Sequence, residues 1–344
     1  MLSIKQIAAA ILLLSAVAAA GTEVGAAESG QTMPVLTITV FTAPSQSVWI
    51  PTLIRKAGLD IKNDFHLQVL EKPSQVAYAD FASGADPVCY CAATAAAARF
   101  VEQGADVTLL WNIFTYDEYI VSAHSGIRDA KDLEGKTLAA DTVTGSWAIA
   151  DLFLQQEGVD FSKVQVQSAR LRGAAGLAEL TAGRVDAVAA TPVDAAALLT
   201  AAKGTLTAFS VYDTGIWRKY ATNPGTNPGI PNIALGAWRN WVAVPANTAL
   251  LRKFYAANLE AVALAKADPV RAADLIAQGT AMTRDVLVYS LSHYAHLIDI
   301  RPISEYRESI AVLTQKLLPE AKQLDRPLTR AELDAYVSNF RPDE

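Results

Sequence analysis

FASGADPVCYCAATAAAARF (81–100) and LTAGRVDAVAATPVDAAALL (180–199) follow one plan: a helix end, Gly, Asp, a short apolar strand, a small-residue turn and an Ala-rich helix. Gly84 and Gly183 suit the left-handed conformation that closes a helix C-terminus. Val88–Tyr90 and Ala187–Ala189 are short apolar runs of the kind that a parallel sheet buries on both faces. Each copy therefore predicts a helix–strand–helix piece of a parallel sheet. Two such pieces about a hundred residues apart predict two α/β lobes of like construction, with a small-molecule cleft between them.

Working outward, VLTITVFT (35–42) reads as the first strand, and APSQSV leads into a helix through Ile54–Ala57 that Ser45 or Ser47 can cap. A strand at Phe65–Glu71, a helix at Ser74–Ser83 and a strand at Val107–Phe114 complete a βα-built first lobe. Tyr119–Ala123, a tight helical turn at Asp129–Gly135, a strand at Thr137–Ala140, a helix from Gly145 to Glu157 and strands at Val164–Gln167 and Thr207–Val211 build the second. The Gly/Pro/Asn-rich ATNPGTNPGIPN (221–232) cannot hold a helix or a central strand and reads as a connector. Beyond it come a strand around Trp241–Val244 and helices at Thr248–Ala267, Pro269–Gln278, Arg284–Ala295 and Ile303–Leu317. They need a sheet to pack on, and the first lobe supplies one. The chain is expected to run from lobe one to lobe two and back: 34–118 plus 233–344 for lobe one, 119–212 for lobe two and 213–232 for the return connector.

Lys5 precedes an apolar run from Ile7 to Ala20 that ends in small residues, the pattern of a cleavable secretory signal, assigned to residues 1–27. No Cys stands near the candidate cleavage sites, so the exported protein is expected to carry no lipid anchor. The 51% hydrophobic content is inflated by Ala, and no later run approaches a membrane span. A net charge of −6 without a basic block argues against nucleic acid and against an anionic membrane surface. Cys89 and Cys91 are two apart in a predicted strand, where their β-carbons stand too far apart for a disulfide unless the strand bends sharply. They read as buried free thiols. His293 and His296 have the helical spacing of two metal ligands, but no third ligand is near in the sequence, and a packed or solvated helix face is the preferred reading.

The words APSQSVW (43–49), SGADPVCYCAAT (83–94), DAKDLEGKTLAAD (129–141), TGSWAIADLFLQQEGVD (144–160) and AGRVDAVAATPVDAA (182–196), then a return strand and an Ala-rich helix ending ADP (267–269), fall in a characteristic order. Together they resemble the substrate-binding proteins of bacterial ABC importers, in the group that binds aliphatic sulfonates, taurine, nitrate and thiamine-pyrimidine precursors. The resemblance covers essentially the whole mature chain and is carried most strongly by DLEGKTLA and AGRVDAV. It implies a type II periplasmic-binding-protein fold, α/β, with two lobes that are each a mostly parallel sheet flanked by helices and are joined by two crossovers. It also implies a monomer in the periplasm that closes on a small-molecule ligand and docks on an inner-membrane permease. No catalytic residue, metal or cofactor is expected.

In open parallel sheets the ligand lies beyond the carboxyl ends of the strands, where helix N-termini favour anions. The pocket candidates are accordingly Ser45, Gln46, Ser47 and Trp49; Tyr90, Cys91 and Thr94; Asn112 and Phe114; Thr144, Gly145, Ser146 and Trp147; Thr191 and Asp194; and Tyr212. Each has a plainer reading. Ser45 and Ser47 serve equally as caps, Thr191-x-x-Asp194 is a capping-box pattern, and Trp49, Trp111 and Trp147 are equally core residues, with Trp147 leaning towards the ligand. The turn at Trp147 reads GSW, where the sulfonate binders carry smaller side chains, and none of these turns holds Arg or Lys; Arg170 or Arg172 would have to reach in from a neighbouring loop. Trp147, Tyr90, Phe114, Tyr212 and Trp217 point to an organic ligand with an aromatic or extended apolar part and a polar or acidic end. Two alternatives stand beside import: an enzyme related to thiamine-pyrimidine synthesis, and a ligand sensor that contacts a signalling receptor.

Overall fold

Strands β1 (Val35–Phe41), β2 (His66–Lys72), β3 (Val88–Ala93), β4 (Val107–Thr115), β10 (Pro231–Trp238) and β11 (Ile298–Pro302) form one sheet in the order β11-β4-β10-β3-β1-β2. Strands β5 (Tyr119–Ser122), β6 (Thr137–Ala140), β7 (Gln165–Ser168), β8 (Ala187–Ala190) and β9 (Thr207–Ser210) form a second, in the order β7-β6-β8-β5-β9. The computed structural model describes residues 33–123, 126–142, 144–169, 171–212 and 229–342. The candidate signal segment, His124, Arg170, Trp217 and most of the return connector lie outside these residues. Among the described residues, no helix is long and apolar enough to cross a membrane.

The strand pairings set the shape of each sheet. β1 runs parallel to β2 and β3, while β10 is antiparallel to both β3 and β4. In the second sheet β6 is parallel to β7 and β8, and β5 is antiparallel to β8 and β9. The β10 pairing brings the two connections between the sheets together. Pro231 sits opposite Thr115, and the Tyr116 amide donates to the Ile230 carbonyl at 2.7 Å. On the far side Tyr119 pairs with Ser210, and Val211 N donates to Glu118 O at 2.8 Å. The outgoing and returning chains thus cross side by side.

Helices α1 (Trp49–Lys56), α2 (Leu59–Lys62), α3 (Ser74–Ser83) and α4 (Thr94–Glu102) flank the first sheet; α5 (Gly145–Gln156), α6 (Gly173–Thr181) and α7 (Pro192–Ala202) flank the second. Gly84 closes α3 with φ 80°, and Gly183 follows α6 with φ 65°. Asp129 heads the short turn before β6 with a full capping box on Asp132, which explains why DAKDL folds there. The long helix Pro245–Ala267 and the helix Pro269–Ala277 bury their apolar residues in the first core, with Trp49, Trp111, Phe254 and Ile276. Val286 and Tyr289 of the helix Arg284–His293 pack on the core of the second sheet, where the Tyr294 ring also lies tilted on Tyr119 at 4.8 Å.

Three expectations are corrected. The return strand is Pro231–Trp238, and Arg239–Val242 is helical instead of the expected strand around Trp241–Val244. NIALGAW (232–238) supplies the apolar run that the centre of the sheet needs, and Pro231 is tolerated because it opens the strand. Cys89 and Cys91 are joined in a disulfide with a Cα separation of 5.0 Å. A regular strand would hold residues two apart at roughly 6.6 Å. The register between β3 and β10 shifts between Ala234 and Gly236, so the strand bends where the bond requires it. The segment 303–317 is a 3₁₀ turn, an α-helical stretch and a π-helical turn at Leu313–Leu317 in place of one regular helix.

Gly236 lies at that bend. A Cβ there would stand 2.7 Å from the Ala92 Cβ and 3.0 Å from the Phe81 ring. Gly236→Ala should therefore cost about 1–3 kcal/mol by overpacking, read as a lowered urea midpoint with an unchanged slope.

Candidate functional site

All parallel strands of both sheets end at one cleft. A cavity of about 720 Å³ is lined by residues that follow β1 (Thr42–Gln46), β2 (Pro73–Gln75), β3 (Ala95, Ala96), β4 (Asp117, Glu118), β6 (Thr144–Ser146), β7 (Arg172) and β8 (Thr191–Val193). Open α/β sheets place ligands in this position, because loops leaving the carboxyl edge turn into helices whose first amides have no intrahelical partner. Here α3, α4, α5, α6 and α7 all begin on the cavity wall. Thr144 caps α5 by accepting from Trp147 N, and Thr191 caps α7 by accepting from Asp194 N. Pro73, Ala93 and Arg172 occupy the N-cap positions of α3, α4 and α6 and make no side-chain cap. Their first-turn amides remain available to an acceptor in the cleft.

The apolar part of the wall is aromatic. Phe41 and Tyr78 meet edge to face at 5.0 Å, and Tyr78 meets Phe100 at 5.7 Å. Burial pushes the Tyr78 phenol above its ordinary range, so it faces the cavity as a neutral group. Tyr116 is also held well above its usual value, first by burial and then by the neighbouring Glu118 and Asp117 carboxylates. Its hydroxyl donates to the Ser146 carbonyl at 2.7 Å, tying the crossover to the start of α5.

The two described cationic side chains of the wall are both engaged. Arg172 Nε donates to Asp194 at 3.1 Å, and Thr191 Oγ1 donates to the same carboxylate at 3.0 Å. Asp194 therefore faces Arg172 instead of closing a capping box on the Thr191 backbone. Arg99 donates through Nε and Nη2 to the Gln323 carbonyl at 3.1 and 3.0 Å. Gln46 is 9% exposed, and its Nε2 has no hydrogen-bond partner among the described residues.

Of the residues singled out from sequence, Ser45, Gln46, Thr144, Gly145, Ser146 and Thr191 line the cavity. Ser47 is wholly buried behind it and accepts from Phe41 N at 3.0 Å, locking the turn to β1. Thr94 donates to the Asn232 carbonyl at 3.3 Å from beneath the wall. Trp49 packs on Phe114 and donates to Met282 Sδ at 3.2 Å. Tyr90 donates to Asn258 Oδ1, and Asn112 donates to the Asp299 carbonyl at 2.8 Å. Cys91 is held in the disulfide, and the Tyr212 hydroxyl lies beside Gly229 on the returning chain. Trp147 is 6% exposed, with its ring on Phe161 at 6.1 Å, on the side of α5 that faces the core.

The reason is common to most of these. Residues inside a strand point into the helical layers, and only those beyond its carboxyl end reach the cleft. Arg172, expected to reach in from a neighbouring loop, lines the cavity, whereas Pro73–Gln75 and the Asp117–Glu118 pair were missed, although each follows a strand that sequence had located. Among the described residues His293 and His296 share no partner: their Nδ1 atoms donate to the Tyr289 and His293 carbonyls. Among the described residues, no group of three potential ligands could hold a metal.

Two sheets joined by paired crossovers, with a cavity at their facing carboxyl edges, define the periplasmic-binding-protein fold. The chain belongs to the NMT1/THI5-like family, whose model matches residues 55–272. No curated protein matches it in sequence. Its structure is similar to the periplasmic aliphatic sulphonate binding protein SsuA of Escherichia coli (18% identity, TM-score 0.64, 90% of this chain and 94% of that one). It is also similar to the alkanesulfonate-binding protein SsuA of Xanthomonas axonopodis pv. citri bound to MOPS (17%, 0.61, 87% and 97%). A desulfurization enzyme, DszB, shares the fold at 12% identity and a TM-score of 0.51, covering 89% of this chain and 97% of that one. At these identities the likeness concerns the fold.

The core placement of Trp147 has a measurable consequence. Trp147→Ala should lower stability by about 3 kcal/mol, seen as a lower melting temperature of the unliganded protein. An unchanged melting temperature would put the ring in the cleft instead.

Proposed function

We propose that this protein is the solute-binding component of an ABC import system, exported to the periplasm, which captures a small organic acid in the cleft and presents it to an inner-membrane permease. The observation that carries this reading is the convergence of five helix N-termini from two sheets on one cavity, three of them without a side-chain cap. Each such end favours an anion by about 0.3–1 kcal/mol. An acidic head group, sulfonate or carboxylate, matches those amides, and the Phe41–Tyr78–Phe100 wall matches an apolar or aromatic body. The sulfonate-binding proteins that share the fold support the same class of ligand.

Binding, not turnover, is the proposed task. The cleft offers amides, neutral phenols and guanidinium groups held by Asp194 and Gln323, which are groups suited to holding a ligand. The lobes, 34–118 with 233–344 and 119–212, would close about the paired crossovers near 116–120 and 212–233, since a ligand stabilises the closed form by the contacts it makes only there. Ser45, Gln46, Thr144, Gly145, Ser146 and Thr191 are the proposed contacts from the sequence-derived set, joined by Tyr78 and Arg172. The protein would act as a monomer.

Isothermal titration of the purified protein with alkanesulfonates, arylsulfonates and aromatic carboxylates is expected to give one-to-one binding. At a hundredfold excess over Kd the ligand should add about 2.7 kcal/mol to stability, raising the melting temperature. Chemical conversion of a bound compound, or no binding across these classes, would overturn the reading.

A further inference from the structure

Arg172 and Arg99 both line the cleft, and they are held by partners of different charge. Arg172 Nε lies 3.1 Å from the Asp194 carboxylate, so its charge is compensated where it stands. Arg99 donates through Nε and Nη2 to the Gln323 carbonyl at 3.1 and 3.0 Å, and through Nη2 also to Gln323 Oε1 at 2.8 Å. Both of these acceptors are neutral. The one acid on α4, Glu102, accepts from Arg326 N at 2.9 Å instead, and the Arg326 guanidinium is paired with Glu332. Among the described residues, Arg99 therefore brings a positive charge to the wall with no carboxylate bound to it.

The helix directs that charge towards the cleft. Ala95, Ala96 and Arg99 share one face of α4 at i, i+3 and i+4 spacing, and all three line the cavity. A long side chain on a helix leans back over the turn that precedes it, so Arg99 is directed towards the start of α4, where Ala93 supplies no side-chain cap. Its partner stands where the lobes meet. Gln323 lies in the turn after Leu318–Glu320 and lines the cavity. A Cβ on Gly145, the first residue of α5, would stand 3.9 Å from Gln323 Oε1 and 3.8 Å from the Ala95 Cβ. One cation and the N-termini of two helices, one from each lobe, are thus gathered at the same end of the cleft.

We infer that Arg99 is the residue that takes the charge of the ligand's acidic group, exchanging Gln323 for it. A bond from a guanidinium to an ionised acid is roughly twice as strong as one to a neutral group, and an acid with two or more oxygens matches the guanidinium fork. Arg172 would have to leave a carboxylate to do the same, and it keeps its place on Asp194. The inference rests on the solute-binding reading and adds a specificity determinant to it. Arg99 selects acids over neutral molecules, and an acid held by it at the start of α5 joins the first lobe to the second.

The test is titration calorimetry with 1-butanesulfonate, benzenesulfonate and benzoate. For every one of these that the native protein binds, Arg99→Gln should weaken binding by about tenfold or more. Arg99→Lys keeps the charge without the fork and should weaken it by about threefold or more. Gln323→Ala removes an acceptor that competes for the guanidinium, so its affinity should equal or exceed that of the native protein, whereas loss of a ligand contact or of wall packing would lower it. Melting curves of the unliganded variants check that each is folded, and if Arg99→Gln is not, Arg99→Lys decides. A smaller loss in the deciding variant, or weaker binding by Gln323→Ala, would overturn the inference and leave the importer reading standing. Failure of all three compounds to bind the native protein would count against both.

Discussion

The antiparallel seating of β10 between β3 and β4 is the constraint on which the rest depends. Because the returning strand pairs with the strand that sent the chain out, both crossovers must lie side by side, joined by the Tyr116 N to Ile230 O bond and, across the gap, by Val211 N to Glu118 O. Had β10 added at the outer edge of the sheet, the second lobe would hang from two widely separated threads, and its strand ends would not face those of the first. With the crossovers paired, the carboxyl edges meet over one cavity.

That arrangement explains why so many helix starts converge. A βα unit places a helix N-terminus at the carboxyl end of its strand, and parallel neighbours repeat the placement at one edge. β1, β2, β3 and β4 each deliver a loop to the cleft from one side, and β6, β7 and β8 from the other. The electrostatics follow from backbone geometry before any side chain is chosen. Side chains then modify the helix ends: Thr144 and Thr191 satisfy some, and Pro73 and Ala93 leave others without a side-chain cap.

The packing beneath the cleft is closely buried. Trp49, Tyr90, Trp111 and Asn112 are completely buried, and Tyr90 reaches Asn258 on the long helix Pro245–Ala267, clamping the helix to the sheet. Tyr294, its ring tilted on Tyr119, brings the segment Arg284–Leu297 onto the core of the second sheet, so that segment also braces the two lobes. Any closing movement has to slide or bend at that brace as well as at the crossovers.

Much of this architecture was legible in the sequence. Period-two apolar runs, the Gly-Asp-strand repeats at 81–100 and 180–199, and Asp129 with its capping partner located nearly every element, because those signals are local and each is a property of a few adjacent residues. The candidate site was legible only in part. Ser45, Thr144 and Thr191 could be found as residues just past a strand, whereas Tyr90, Asn112 and Phe114 belong to strand interiors and face the helical layers. Trp147 lies toward the core with its ring against Phe161, fourteen positions further along the chain, a contact no local pattern encodes. The Cys89–Cys91 bond, the Arg172–Asp194 pair and the meeting of Gln46 with the crossover acids around one cavity were decided by tertiary structure alone. Sequence fixes which residues start and stop an element through nearest-neighbour energetics; which side chains share a cleft depends on how two sheets are held against each other, and that is settled only when distant strands pair.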